Sequence, residues 1–210
     1  MSRGLAYNSK DDQQKRLAMI REALGPRSIV LIGLMGAGKT AVGRRLANKL
    51  DLPFIDADTE IEVAAGASIS EIFAEHGEAY FRQGERKVIQ RLLNDGPQVL
   101  ATGGGAYMNA DTRAAIKARG LSVWLKADIK VLLKRVGRRG NRPLLSGGDS
   151  EKVMKKLMQE RYPVYAGADV TVESRDVPHE VIVGAVIDAL AVEFGCEAPE
   201  PKAKPRKKVK

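Results

Sequence analysis

Gly33-x-x-x-x-Gly38-Lys39-Thr40 puts backbone amides, an ammonium and a hydroxyl at a spacing that can hold a triphosphate. The glycines let the chain curl until successive N–H groups point inward at phosphate oxygens, a cradle running over Gly36, Ala37, Gly38, Lys39, Thr40 and Ala41. A following helix adds the positive end of its dipole, Lys39 can reach the outer phosphates, and the Thr40 hydroxyl can ligate Mg²⁺. A chance Gly-rich turn would share the letters but not the context. Here Ile29, Val30, Leu31 and Ile32 lead in as a strand, and Val42, Leu46 and Leu50 follow at helical spacing. The combination points to nucleoside triphosphate binding.

Further groups fit a transfer reaction. Asp56-Ala57-Asp58 follows a short apolar run, and in a parallel sheet such a strand end faces the phosphate loop. One carboxylate can then serve a metal and the other an acceptor hydroxyl, whereas a solvated turn with a helix cap would use only one. Arg82 and Glu85 are three apart and share a helix face, which on spacing alone reads as an ordinary surface ion pair. Gly103-Gly104-Gly105 comes directly after a buried run, giving either a close backbone approach to a small ligand or a plain loop. Arg135, Arg138, Arg139 and Arg142, interleaved with Gly137 and Gly140, read as a lid closing over phosphate or as a solvated basic loop. Arg161 can hold a carboxylate through its planar fork.

These residues need a scaffold. Apolar periodicity predicts helices over 10–24, most of 56–95, 110–119, 128–136, 151–166 and 178–194. Ser68-x-x-Glu71 is a capping box within the second of these stretches. Short apolar runs predict strands at the P-loop, 52–55, 99–102, 121–125 and 169–172. Strands alternating with helices mean a three-layer α/β fold with a five-stranded parallel sheet.

Composition narrows the class. The 210 residues, 44% apolar, suit one domain with extensions at both ends. No apolar run approaches the ~20 residues of a membrane span, and no signal peptide is legible. The lone Cys196 can form no internal disulfide, which fits a cytoplasmic setting. Of the net charge of +9, the Pro- and Lys-rich tail from Glu197 to Lys210 supplies four, leaving +5 on the body. The tail lacks the apolar residues to fold and is expected to be disordered. With 5% aromatics there is little to stack on bases, so no specific nucleic-acid partner is expected.

Taken in order, GLMGAGKT, DAD, GEAYFRQGE, TGGGA, RPLL (142–145) and ERYPVY (160–165) resemble the shikimate kinase family over roughly residues 27–190. The resemblance implies a P-loop fold with strand order 2-3-1-4-5 and three parts: an extension over 1–26, a kinase domain over 27–195 and a basic tail over 196–210. Within the domain it implies a helical substrate-binding segment near 56–95 and a mobile lid near 137–150. It implies ATP-dependent phosphorylation of the 3-hydroxyl of shikimate, a step toward chorismate and the aromatic amino acids, by a cytoplasmic monomer with ATP and shikimate as partners. Lys39, Asp58 and Arg142 are then catalytic, with Lys39 and Arg142 on the transferring phosphate and Asp58 on the ring hydroxyls. Arg82 and Arg161 clamp the acceptor carboxylate, Glu85 holds Arg82, and Gly103, Gly104 and Gly105 complete the pocket. Thr40 and Asp56 serve Mg²⁺. Arg135 resembles the adenine-stacking arginine, while Arg175 and Pro178 are loose counterparts of the remaining adenine loop. Other P-loop kinases, acting on gluconate or a nucleotide, are the rivals; a carboxylate clamp argues against a nucleotide acceptor more than against gluconate.

Overall fold

The computed structural model describes residues 10–137 and 150–196. The P-loop strand β1 (Ser28–Ile32) is buried at every position and lies at the centre of an all-parallel sheet. β3 (Val99–Ala101) pairs on one side, Ile29 facing Val99, and β4 (Gly120–Lys126) on the other, Ile29 facing Leu121. β2 (Phe54–Asp56) and β5 (Val170–Glu173) form the edges, giving the order β2-β3-β1-β4-β5. Central strands in such a sheet are covered on both faces, which is why β1 is buried throughout and β4 at every position but its last, Lys126. Edge strand β5 instead alternates buried and exposed.

Helices α2 (Lys39–Leu50) and α8 (His179–Glu193) pack together, and α1 (Lys10–Leu24) lies against both and buries Ile20 and Leu24. α2 buries Val42, Leu46 and Leu50, the residues whose spacing predicts the helix. The stretch over 56–95 divides into α3 (Ala57–Ala65) and α4 (Ile69–Asn94), broken again at Gly77, where φ 78 and ψ 175 put a kink inside α4. Both halves of the Ser68–Glu71 capping box are made, at 3.2 and 2.7 Å. α5 (Ala110–Arg119), α6 (Ile129–Gly137) and α7 (Ser150–Tyr165) complete the layers.

β2 lies further along the chain than its apolar run predicts. Phe54, Ile55 and Asp56 pair with Val99, Leu100 and Ala101, so Asp56 is the last strand residue and also the N-cap of α3. Arg138, Arg139 and Arg142, the interior of the expected lid and the basic tail lie outside the described residues.

Candidate active site

β1, β2 and β3 deliver their carboxyl ends to one cavity of about 820 Å³, large enough for a nucleotide and a small acceptor together. β1 ends in the phosphate loop, β2 in Asp56 and Asp58, β3 in the three glycines, and all three segments line the cavity. Parallel topology thus gathers residues from widely separated sequence stretches, with α4, α6, Arg161 on α7 and the segment 176–179 completing the wall.

At the phosphate end, Gly36 adopts φ 82, and a Cβ there would stand 3.0 Å from the Leu132 carbonyl and from Val136. Only glycine lets the loop lie this close beneath α6. Lys39 Nζ donates to the carbonyls of Gly33 at 2.7 Å and Leu34 at 3.1 Å, a position from which it can turn toward phosphate oxygens. Thr40 Oγ1 donates to Asp56 Oδ2 at 2.9 Å, while Asp56 Oδ1 accepts from the Asp58 backbone at 3.2 Å. One hydroxyl and one carboxylate, both on the cavity wall, are the hard oxygen donors that suit Mg²⁺. Among the described residues no cluster of three or more His, Cys, Asp or Glu forms a cage.

At the opposite end, the triple glycine is a seat for four charged side chains. A Cβ at Gly103 would lie 2.7 Å from Glu85 Oε1 and 2.9 Å from Asp58 Oδ1. At Gly104 it would lie 3.3 Å from Arg161 Nη1, and at Gly105 only 2.5 Å from Arg82 Nη1. Gly103–Gly105 is therefore more than a plain loop. Arg82 and Glu85 are equally more than a surface pair: Arg82 Nη1 donates to Glu85 Oε2 at 2.7 Å, and Glu85 is 3% exposed. Glu78 accepts from Arg82 Nε and Nη2 at 3.2 and 3.1 Å, fixing the other edge of the guanidinium. Burial pushes the Glu85 carboxyl above its ordinary value, and the neighbouring Asp58 adds to this; Arg82 and Arg161 pull the other way without cancelling it. Arg82 is itself disfavoured by burial, but Glu85 and Glu78 more than restore its charge.

Arg135 spans the third corner. Its Nη1 reaches the carbonyls of Gly36 and Ala37, both at 3.3 Å, and Ser174 Oγ at 2.9 Å; its Nη2 reaches the Arg175 carbonyl at 2.6 Å. Arg175 contributes that carbonyl while its residue is exposed, and the cavity wall beside it is Asp176, Val177, Pro178 and His179. Two further participants are given no role by the sequence. Ser174, fully buried, donates to the Ala37 carbonyl at 2.8 Å and so ties the end of β5 to the phosphate loop. Tyr165, which ends the ERYPVY stretch, donates its hydroxyl to the Gly104 carbonyl. Arg142 lies outside the described residues.

The chain matches the family model "Shikimate kinase" over residues 35–191. It is 56% identical over 187 residues to the shikimate kinase of Bradyrhizobium diazoefficiens, covering 89% of this chain and 90% of that one. It is 60% identical over 167 residues to the shikimate kinase of Caulobacter vibrioides, covering 80% and 84%. Among solved structures it is similar to the shikimate kinase from Acinetobacter baumannii in complex with shikimate, with a TM-score of 0.77 at 37% identity, covering 85% of this chain and 99% of that one.

Proposed function

The chain belongs to the shikimate kinase family, and from that premise we propose that it moves the γ-phosphoryl group of ATP to the 3-hydroxyl of shikimate, giving shikimate 3-phosphate. One observation carries the reading: Arg82, Arg161 and Asp58 converge on Gly103–Gly105 in the same cavity as Lys39. Two guanidinia suit a carboxylate and one carboxylate suits hydroxyls, so the seat matches a polyhydroxy acid presented to a phosphate loop.

Phosphoryl transfer needs little covalent help, so the chain acts by positioning and by placing charge. In this reading the loop amides and Lys39 hold the β- and γ-phosphates. Thr40 and Asp56 would hold Mg²⁺, which when bound neutralises charge across the phosphate oxygens. Arg82 and Arg161 grip the acceptor carboxylate and fix the ring, Glu85 and Glu78 keeping Arg82 in place. Asp58 accepts from the ring hydroxyls and orients or deprotonates the one that attacks. Arg135 carries the adenine, its guanidinium braced by the phosphate loop and Ser174. Arg142 comes onto the transferred phosphate, a role supported by its place in the RPLL stretch. The lone Cys196, buried and unpaired, supports a cytoplasmic enzyme, and among the described residues no helix is long and apolar enough to cross a membrane.

Coupled measurement of ADP release across shikimate, quinate, gluconate and nucleoside monophosphates tests the proposal. Turnover should require shikimate; equal turnover with gluconate would move the assignment to another hydroxy acid.

A further inference from the structure

Tyr165 is the last residue of α7 and is 1% exposed, its ring set among Trp124, Tyr162 and Tyr107 with centroids 5.8, 6.2 and 6.3 Å away. A phenylalanine would fill that space as well, and burying a hydroxyl is costly unless it is satisfied. Here it is satisfied: the hydroxyl donates to the Gly104 carbonyl. Arg161, one helical turn back on α7, lies close enough for its charge to act on the same phenol. Arg161 Nη1 in turn stands 3.3 Å from the place a Gly104 Cβ would occupy. One oxygen therefore stands where the glycine loop, the guanidinium and the end of α7 meet. Burial also pushes the phenol above its ordinary value, against the pull of Arg161, so it remains a donor at neutral pH.

We infer that Tyr165 is a positioning residue that sets Arg161 against Gly104 and thereby selects an acceptor carrying a carboxylate over its neutral ester. The inference rests on the shikimate reading. An arginine stem has many rotamers, and a guanidinium fork recognises a carboxylate bidentately only when both bonds are aimed at once. Holding the fork before the acceptor arrives removes that ordering cost from binding. Tyr165 itself need touch neither phosphate nor acceptor.

Steady-state kinetics of wild type, Tyr165→Phe and Tyr162→Phe with shikimate and with its methyl ester provide the test. Tyr162 is a matched control, a tyrosine of the same cluster whose hydroxyl donates to the Ala127 carbonyl away from the glycines. Tyr165→Phe should raise the KM for shikimate roughly tenfold, as expected when buried partners lose a hydrogen bond. Its KM for ATP and its kcat should hold. The preference for acid over ester should shrink by the same factor as the rise in KM, because the ester already lacks the charge that Arg161 reads. Tyr162→Phe should leave that preference intact. An unchanged shikimate KM in Tyr165→Phe overturns the inference, as does a loss spread equally over ATP or reproduced by Tyr162→Phe. Should Tyr165→Phe fail to fold, wild type labelled with ¹³C at the tyrosine Cζ decides: shikimate should shift the Tyr165 signal and ADP should not, and the absence of a shikimate-specific shift overturns it. Wild type inert toward shikimate overturns the underlying reading as well, whereas active wild type with an unaltered variant overturns this inference alone.

Discussion

Glu85 Oε1 lies 2.7 Å from the position a Cβ of Gly103 would take, while Glu85 Oε2 accepts from Arg82 at 2.7 Å. The buried carboxylate is thus the joint between α4 and the glycine loop, and its Oε1 has no hydrogen-bond partner among the described residues.

That joint has a pH signature. Glu85 has a folded-state pKa above its ordinary 4.5, chiefly through burial. A raised carboxyl favours the folded state below the unfolded value and loses that contribution as pH rises through the folded value. The stability of wild type relative to Glu85→Gln should therefore fall as pH climbs from 4.5, then level off. Urea unfolding of both proteins across that range checks it. A relative stability that grows with pH would mean that the ion pair outweighs burial.

The glycine seat predicts a split between two alanine variants. The atoms nearest a Gly105→Ala methyl all belong to the guanidinium of Arg82, the far end of a long side chain, so the variant should fold and displace the clamp from its place on Glu85 and Glu78. Its shikimate KM should rise while its ATP KM stays constant. Gly103→Ala meets Asp58 and the buried Glu85, which has little room to give, and overpacking of this kind costs about 1–3 kcal/mol. Thermal melts and kinetics on the pair check the contrast.

The two aspartates should separate. In the proposed site Asp58 is the charge facing the acceptor, so Asp58→Asn should abolish transfer with nucleotide affinity near normal. Asp56→Asn retains a capping oxygen for the start of α3, since asparagine caps as well as aspartate, so stability should hold. It weakens the hard donor beside Thr40, and the Mg²⁺ concentration needed for half-maximal rate should rise. Calorimetry with ADP at several Mg²⁺ concentrations distinguishes the two.

In the proposed reaction the Lys39 ammonium offsets charge on the transferring phosphoryl group, so Lys39→Met should lower kcat by orders of magnitude with a nearly unchanged melting curve. Near-normal turnover in a folded variant would remove Lys39 from the reaction.

Elements governed by local chemistry were legible from the residues. α1 and α5 run over 10–24 and 110–119, as their apolar spacing predicts, and the strand order follows the resemblance. β2 slid because its pairing with β3, rather than its own apolar run, sets where it ends. The kink at Gly77 came from a positive φ that helical periodicity does not encode. In the site, the phosphate loop was plain because its chemistry is contiguous. Arg82 and Glu85 were ambiguous because what buries Glu85 includes glycines about twenty residues away in the chain. Ser174 and Tyr165 had no legible role for a similar reason, although Tyr165 ends the ERYPVY stretch: a serine at a strand end and a tyrosine at a helix end acquire roles only once the sheet sets them beside Ala37 and Gly104.

The most direct measurement follows the phosphate itself. Wild type incubated with ATP, Mg²⁺ and shikimate should yield one new phosphomonoester, and phosphorus–proton correlation should connect it to the ring proton at carbon 3. Asp58→Asn under the same conditions should yield none. A phosphate attached to a different hydroxyl, or ADP formed at the same rate without shikimate, would contradict the account.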